Sequence, residues 1–526
     1  MNGIVVPLNN DIINLLGGAE RVKSMVSIGG ASVLPISAEM LRLAGGEERL
    51  KAVLAAGGND GINAMGAVPE NLEMTAHVLL WRREHLHLLR LIPSVPAASI
   101  NHEYDVVTAY GDIGGPIFTA EGTLGSKESL RVRRHTNRIV TLQHVNQVTG
   151  MAQDQKTVNI LGANRSLESN REGILRLHLL KKAVATLFAD SSTTTSELRW
   201  KGVLQLWREQ RADAAYADQP WSIDPAVFVD CRGGRLGRSR IEDGGTRVFE
   251  EGWGQLNFVV MDPSTSAGFQ GEIEKFVSNG FSMERIDAAS GKDSGVVLGT
   301  TVAGIRHQGG VAQFLVDNTL HPQFHKAEWK GAPAAGAPAR PGAPTPTVLN
   351  ANANSRFQAA DLKGATAFKK YKVQAVNDSG YSEASEATAA IDGLDAGDSC
   401  RVSFNTRADA LSYRILANTP ENPGVFWEIA ELKNDAATLT YDDHNWFIPG
   451  GRWAIGAEMM NARSRENRLV ANPYDNSIRM AVLKELTTRR MADIGDFEWE
   501  RIIERACPEV PQPLRIVVYY NIGNRS

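Results

Sequence analysis

Cysteine, aromatic residues and an excess of either charge are all scarce in this sequence. Its 526 residues include 3 cysteines, an aromatic content of 7% and a formal net charge of −4 at pH 7. Cys231, Cys400 and Cys507 lie far apart and form no C-x-x-C pair, which argues against a zinc ribbon or a disulfide framework and predicts reduced, buried thiols. Because proteins that wrap nucleic acid are usually basic, the charge balance argues against a dedicated DNA-binding protein.

Several signals of other protein classes are also missing. The sequence has no run of about 18 apolar residues, so we expect no membrane-spanning helix. Residues 1–25 lack the basic and then apolar pattern of a signal peptide. There is no Walker loop, no G-x-S-x-G, no H-E-x-x-H and no Cys and His pair at the spacing of a nucleophile. We therefore predict a protein that is not an enzyme, with no catalytic residues, no metal and no cofactor.

The residues that are present have the balance of a globular protein, with 43% apolar and 22% charged residues. Apolar residues at helical spacing predict helices over residues 166–190, 200–211 and 478–502. In the first of these, Ser169 and Glu172 have the spacing of a capping box. The length of 526 residues predicts roughly two to four domains at about 100–200 residues each.

The most distinctive stretch covers residues 104–151. An apolar run leads into a glycine- and proline-rich turn region, a polar segment follows at residues 126–129, and a long segment rich in Arg, Thr and Val comes next. We predict two long strands joined by a polar tip, a β-ribbon too long to be covered by its own domain. Because an isolated two-stranded ribbon is only marginally stable in water, we expect it to lie on a neighbouring subunit.

This ribbon supplies the candidate contact residues. Four arginines lie on its return strand, and we find no acidic run in the same subunit to match them, so we expect their acidic partners on a neighbour. The candidate subunit-contact residues are Phe118, Glu121, Gly122, Lys127, Arg131, Arg133, Arg134 and Arg138.

Two short apolar segments, residues 226–229 and 256–261, are predicted to be buried strands, and the sequence CRGGRLGRSR lies between them. Its glycines and arginines are typical of a phosphate-binding loop, but it lacks the G-x-x-x-x-G-K-[ST] pattern, and we expect no strand–loop–helix order around it. An exposed basic loop at a subunit contact is the favoured interpretation, and phosphate binding remains the alternative.

Composition changes abruptly after residue 330. Residues 331–346 read GAPAAGAPARPGAPTP and predict a semi-rigid, extended linker. Short strands at regular spacing follow and predict an all-β sandwich. The predicted strands cover residues 368–376, 400–404, 412–416, 426–429 and 438–441. Residues 514–520 then predict a late strand that must pair with strands from earlier in the chain.

Residues 103–124, EYDVVTAYGDIGGPIFTAEGTL, are followed by a basic strand and a long helix. Together they resemble the extended loop and spine helix of tailed-phage major capsid proteins with the Hong Kong 97-type fold. The segments GGASVLPISAEMLRLA and LLRLIPSVPAASINHEYD are similar to that family's approach to the loop. YKVQAVNDSGYSEAS resembles a fibronectin type III or immunoglobulin-like domain.

The resemblance implies an α+β fold with an extended β-ribbon loop, a long spine helix and an apical domain, into which an all-β sandwich is inserted. The implied segments are an N-terminal arm and approach segment (1–100), the extended loop (101–155), a peripheral domain with the spine helix (156–225), the apical domain (226–330), the linker (331–347), the sandwich (348–450) and the C-terminal part of the capsid core (451–526).

The function implied by the resemblance is that of a major capsid protein. Copies of the chain would form pentamers and hexamers in an icosahedral head around double-stranded DNA, with only non-specific contact to that DNA and none to a membrane. Portal, scaffold and cement proteins are further implied partners. The implied location is the virion, after assembly in the bacterial host cytoplasm. A phage tail or baseplate protein with an immunoglobulin-like domain is the alternative, and a host-binding adhesin is the third possibility.

Overall fold

The computed structural model describes residues 26–28, 32–34, 75–76, 86–109, 118, 121, 129–149, 159–160, 166–194, 196, 198–211, 228–278, 304–307, 310–362, 368–459, 476–491 and 497–523. The fold is α+β, with more strand than helix. The chain divides into two compact units, residues 1–76 and residues 77–526. Within the first unit, strands β1 and β2 form an antiparallel hairpin.

The strands follow one another along the whole chain. In chain order they are β1 (Val26–Ile28), β2 (Ser32–Leu34), β3 (Thr75–Ala76), β4 (Ser94–Pro96), β5 (Asn101–Ala109), β6 (Arg131–Arg138), β7 (Val140–Thr149), β8 (Asn159–Ile160), β9 (Phe228–Asp230), β10 (Phe258–Met261), β11 (Gly304–His307), β12 (Gly310–Val316), β13 (Thr345–Leu349), β14 (Tyr371–Asn377), β15 (Gly380–Tyr381), β16 (Ser399–Asn405), β17 (Ser412–Ala417), β18 (Trp427–Lys433), β19 (Thr438–Asp443), β20 (Arg452–Ala457), β21 (Arg479–Arg490), β22 (Phe497–Glu509) and β23 (Ile516–Ile522).

Helices α2 and α3 lie between the ribbon and strand β9, and the other helices precede or follow that segment. In chain order they are α1 (His87–Leu91), α2 (Ser166–Phe188), α3 (Val203–Arg211), α4 (Arg238–Gly252), α5 (Pro263–Ser278), α6 (Pro322–His325) and α7 (Ala359–Leu362), with 3-10 turns at Asn318–Leu320 and Pro513–Arg515.

The core of the second unit contains a mixed six-stranded sheet in the order β11-β12-β10-β20-β23-β9. Strand β10 pairs in parallel with β12 and antiparallel with β20. Strand β23 lies between β20 and β9, and all its residues are buried. Its β-branched and aromatic side chains suit a strand that is covered on both faces. The prediction that this late strand pairs with earlier strands is confirmed.

Helix α4 packs closely on this sheet through two adjacent glycines. A Cβ atom at Gly244 would lie 2.0 Å from Tyr519 Oη, and one at Gly245 would lie 2.7 Å from His307 Nδ1. Any larger residue at these positions would push the helix away from the sheet, so the two glycines set its packing distance.

A second sheet, in the order β4-β21-β22-β7, corrects one sequence prediction. The helix predicted over residues 478–502 is wrong, because residues 479–490 and 497–502 belong to the antiparallel pair β21 and β22. Their apolar residues Met480, Leu483 and Leu486 recur every three positions. Strand β21 has register shifts on both sides of Lys484, and each bulge moves the alternation of faces by one residue. The two bulges of β21 therefore give its apolar residues a spacing close to that of a helix, which explains the incorrect prediction.

Helix α2 contacts β7, β22 and α3. It confirms the helix predicted over residues 166–190, and α3 confirms the one at 200–211. The predicted capping box is wrong, because the helix begins at Ser166 and Ser169 therefore lies inside its first turn. In α3, Trp207 is fully buried, and its Nε1 donates to the Pro513 carbonyl at 2.8 Å.

The strands between residues 345 and 443 form two further sheets, β13-β16-β19 and β15-β14-β17-β18. Their buried side chains form a hydrophobic cluster distinct from that of the main sheets. All five strands predicted for this region are present. Strand β13 begins inside the predicted linker and pairs with β16. These two sheets share one hydrophobic cluster and are called the sandwich below. They lie in sequence between β12 and β20, which both pair with β10.

Candidate assembly surface

Strands β5 and β6 form an antiparallel ribbon with two distinct faces. Successive residues of a strand point to opposite faces. The inner face carries Tyr104 opposite His135, and Tyr104 is buried. The side chains on the outer face are exposed to solvent. The outer-face residues are Asn101, Glu103, Asp105, Val107, Val132, Arg134, Thr136 and Arg138.

The ribbon is shorter than predicted. Its return strand β6 ends at Arg138, and β7 leaves for the four-stranded sheet, where it pairs with β22. Between the two strands Ile139 is buried, and its N–H donates to the Ile100 carbonyl at 2.7 Å. The chain passes from one sheet to the other at the adjacent apolar residues Ile139 and Val140. The prediction of a single return strand that runs to residue 151 is therefore wrong.

Buried hydrogen bonds anchor the base of the ribbon. Asn137 Nδ2 donates to the carbonyls of Lys201 at 3.0 Å and Pro508 at 2.7 Å. Asn137 Oδ1 accepts from the N–H of Lys201 at 3.0 Å. Tyr104 Oη accepts from Gln210 Nε2 at 2.7 Å. Since the side chains of Asn137 and Tyr104 are buried, these hydrogen bonds fix the direction in which the ribbon leaves its domain.

The acidic partners of Arg134 lie on the ribbon itself. Arg134 Nε donates to Asp105 Oδ1 at 2.8 Å, and Arg134 Nη1 lies 3.4 Å from Glu103 Oε2. The hydrogen bond from Arg134 is the main cause that lowers the pKa of the Asp105 carboxyl. The expectation that the arginines lack acidic partners in their own subunit is therefore wrong for Arg134. Arg131, Arg133 and Arg138 are also exposed.

The end of the ribbon farthest from its base is apolar and exposed. Val107 and Val132 face each other across the strands with 46% and 52% of their surface exposed. Leu130, which directly precedes β6, is 61% exposed. Among the other contact candidates, Phe118 is 94% exposed. Glu121 is exposed as well. The other two contact candidates, Gly122 and Lys127, lie outside the described residues.

A groove of about 380 Å³ opens beside helix α2. Its walls come from α1, α2, β21 and β22, and they combine leucines with a few charged side chains. The lining residues are Leu86, Leu89, Arg90, Ile92, Ser94, Leu179, Lys182, Met480, Val482, Glu485, Leu486 and Glu504. The charged side chains of the lining are two basic ones, Arg90 and Lys182, and two acidic ones, Glu485 and Glu504. Such a groove suits an apolar strand or loop.

Charged side chains fasten helix α2 to strand β22. Arg171 makes two hydrogen bonds to Glu500, one of them from Nε at 2.8 Å. On the next turns of the helix, His178 Nε2 lies 3.0 Å from Glu504 Oε2, and Lys182 donates to the other Glu504 oxygen. Both glutamates are buried, so removal of either partner would leave an uncompensated charge in the interior. These hydrogen bonds hold together helix α2 and strand β22, two of the walls of the groove.

The protonation states in this region follow from burial and pairing. Burial alone would raise the pKa of Glu504, but hydrogen bonds from His178 and Lys182 outweigh it and hold the pKa below its ordinary value. Burial is the main cause that lowers the pKa of His144 to about 4, and Lys181 and His178 add to it. At neutral pH Glu504 is therefore charged and His144 is neutral.

The glycine- and arginine-rich loop lies between β9 and α4, so the strand–loop–helix order that we did not expect is present. Arg240 turns back into the loop, and its Nη1 donates to the carbonyl of Cys231 at 3.2 Å. A Cβ atom at Gly237, where α4 begins, would lie 3.1 Å from Glu272 Oε1. A carboxylate already lies beside the helix start that would bind a phosphate, which disfavours the phosphate-binding alternative.

Within the described residues, no three His, Cys, Asp or Glu side chains lie close enough together to hold a metal ion. The helices of the same described ranges are all too short or too polar to cross a membrane. The three cysteines are buried free thiols, as predicted. Burial raises the pKa of Cys400 to about 11 and that of Cys507 to about 12, so both are protonated at neutral pH.

Sequence reasoning missed several residues that define this surface. Glu103 and Asp105 are predictable as partners of Arg134 only if the strand register is known. Asn137 was overlooked because a single polar residue in a basic strand gives no sign that it is buried. The role of Glu500 as the partner of Arg171 was missed because its strand was incorrectly predicted to be a helix.

No protein-family model matches this sequence, and neither does any curated protein. Several solved structures match this chain over most of its length, at low identity and low TM-score. The SrpI encapsulin of Synechococcus elongatus PCC 7942 matches at 8% identity and a TM-score of 0.37, over 88% of this chain and 97% of that one. A GTA particle capsid matches at 10% identity and a TM-score of 0.42, over 86% and 95%. A chain from Gordonia phage Cozz matches at 10% identity and a TM-score of 0.36, over 95% and 99%. TM-scores and identities this low carry no function over to this chain, so a functional assignment must come from its own residues and geometry.

Proposed function

We propose that this chain is the major capsid protein of a tailed phage, a structural subunit that self-assembles into an icosahedral head around double-stranded DNA. The observation that carries the proposal is the ribbon of β5 and β6. Its base is anchored by buried hydrogen bonds of Asn137 and Tyr104, whereas its far end exposes Val107 and Val132 to solvent. A rigidly directed strand pair with an exposed apolar end is stabilised when another surface covers it. The resemblance of residues 103–124 to the capsid extended loop supports the same role.

The partner that we infer for the ribbon is a second copy of this chain. The groove beside α2 offers leucines for the apolar end of the ribbon, and it offers Glu485 for arginines such as Arg131 and Arg133. Helix α2 is fastened to β22 by the pairs of Glu500 and Glu504, so the groove is preformed. The apolar character of the two surfaces is complementary.

The finer assignments follow from this proposal. Pentamers and hexamers of the subunit would make up the shell, with the region around β9 to β12 at their centres. The sandwich, as an immunoglobulin- or fibronectin-like domain, would stand on the outer surface. The packaged DNA would be contacted non-specifically. Portal, scaffold and cement proteins would be the other partners, and assembly would take place in the cytoplasm of a bacterial host.

Electron microscopy of the purified protein tests the proposal, and closed shells or rings of five and six are the expected result. The double variant Val107→Asp with Val132→Asp introduces two charges at exposed positions, where substitutions usually change stability by about 0.5 kcal/mol or less. It should keep the thermal unfolding of the subunit and lose shell formation. Val425→Asp, at an exposed position of the sandwich, is the matched control and should assemble.

Two results would contradict the proposal. One is a wild-type protein that stays monomeric at high concentration under all assembly conditions. The other is normal shell formation by the double variant, because the apolar end of the ribbon would then be exposed for a reason other than assembly.

A further inference from the structure

A lysine and an aspartate meet in the interior of the sandwich, away from solvent. The side chains of Lys369 and Asp443 are 3% and 2% exposed, and Lys369 Nζ lies 3.4 Å from Asp443 Oδ2. Lys369 comes two residues before β14, in the four-stranded sheet, whereas Asp443 ends β19, in the three-stranded sheet. The pair therefore spans the two sheets of the sandwich.

The surroundings of this pair are apolar and aromatic. Lys369 Nζ lies 5.3 Å from the centre of the Phe357 ring and 5.6 Å from that of Tyr371. Both rings belong to the hydrophobic cluster of the sandwich, as does Cys400. Two opposite charges in such a place have lost most of their hydration, and a product without charge would relieve that loss.

Two donors are aimed at the Asp443 carboxyl group. Tyr371 Oη donates to Oδ2 at 2.7 Å, and the Asn445 N–H donates to Oδ1 at 2.8 Å. Burial, followed by the nearby Asp443 and Cys400, raises the pKa of Tyr371 well above its ordinary value, so the phenol keeps its proton and remains a donor. Donors in these positions stabilise the negative charge that develops on oxygen when a nucleophile adds to the carboxyl carbon.

We propose that Lys369 and Asp443 react with each other to form an amide bond that joins the two sheets covalently. Proton transfer within the ion pair gives a neutral amine and a carboxylic acid. The Nζ lone pair adds to Asp443 Cγ, and the new C–N bond is completed as the C–O bond to the hydroxyl breaks. The hydroxyl leaves with a proton from the nitrogen as one molecule of water.

The ion pair contains every atom that this reaction needs. No oxidant, reductant or second reactant is consumed, because an ammonium and a carboxylate differ from an amide by one water. The fold supplies proximity, since the nitrogen and the carboxyl group are held in contact by the packed sheets. It also excludes water, which would otherwise favour the ions.

A second lysine provides a comparison within the same chain. Lys372 Nζ lies 2.7 Å from Glu328 Oε1, but its side chain is 20% exposed. That pair retains contact with water, so we expect it to remain an ion pair. Both pairs are in contact but only Lys369 and Asp443 are fully buried, so a comparison of the two shows whether burial is needed for the amide bond to form.

Mass spectrometry of the full chain tests the proposal. The intact mass of the denatured wild-type protein should be lower than the sequence mass by one water. Protease digestion and tandem mass spectrometry should identify one branched peptide joined through Lys369 and Asp443, and none joined through Lys372 and Glu328. Lys369→Met should have the full mass and no branched peptide.

A wild-type protein of full sequence mass would overturn the proposal. So would a loss of water that maps to another site, such as an aspartate cyclised on its own backbone. The wild-type measurement decides the matter even if Lys369→Met fails to fold, because the bond is read directly from the peptides.

Discussion

The anchoring role of Asn137 leads to a quantitative prediction. Its side chain makes hydrogen bonds to the N–H and carbonyl of Lys201 and to the carbonyl of Pro508, at 2.7–3.0 Å. Asn137→Ala would leave these backbone groups unsatisfied in a buried place. Each such group costs about 1–3 kcal/mol. Water that enters the space left by the side chain would restore part of this, so we expect a loss of about 2–4 kcal/mol.

Urea unfolding of the unassembled subunit at pH 7 measures this loss. The midpoint should fall while the slope stays constant, because the surface exposed on unfolding is nearly unchanged. Hydrogen exchange of the β5 and β6 amides should accelerate, since the ribbon loses its attachment. Shell formation should fall together with the stability of the ribbon base.

Asn101→Ala is the matched control. Asn101 lies on the outer face of the same ribbon, opposite Arg138, and is exposed. Its substitution should change stability by about 0.5 kcal/mol or less. If Asn137→Ala were as mild as Asn101→Ala, the buried hydrogen bonds would not hold the ribbon, and the reasoning about its fixed direction would fail.

Three further predictions concern assembly, domain organisation and pH. Arg131→Glu with Arg133→Glu should block shell formation while the subunit still folds, because an interfacial charge pair broken on one side costs about 2–5 kcal/mol; electron microscopy and calorimetry check this. Removal of residues 331–449, with the ends joined, should leave a chain that folds and assembles, as measured by calorimetry and electron microscopy. Loss of folding would show that the sandwich belongs to the core. The pKa of His144 is about 4 in the folded protein and about 6.5 in the unfolded chain. Its contribution to stability is therefore complete above pH 6.5 and is lost as the pH falls toward 4. The urea unfolding midpoint should fall between pH 7 and pH 5, and the midpoint of His144→Gln should depend less on pH.

Local pattern was enough to predict the elements whose burial follows a simple period. Helix α2 has one apolar stripe, and the strands of the sandwich are short segments separated by turn residues. Strand β23 is a run of β-branched and aromatic residues, and such a run needs neighbours on both sides. In each case the residues themselves specify the element, whatever the rest of the chain does.

The failures arose where long-range pairing overrides local spacing. The bulges of β21 are stabilised by its pairing with β22, which the residues around Lys484 cannot indicate. The exchange of sheets at Ile139 depends on β22 as the new partner of β7. The ion pair of Arg134 with Asp105 joins residues 29 positions apart and depends on the ribbon register. Contacts of this kind are decided by the fold and not by composition.

The order of strands in the six-stranded sheet has a consequence for synthesis on the ribosome. Strand β23 lies between β20 and β9 but is translated after both. A nascent chain that has not reached residue 516 therefore holds two strands with open edges, which are prone to pair with other chains. The sandwich needs only residues 345–443 for its two sheets, so it can fold while translation continues. A chain that terminates before β23 should thus have a folded sandwich and an incomplete six-stranded sheet that is prone to aggregate. Such a chain would be a substrate for chaperones and proteases.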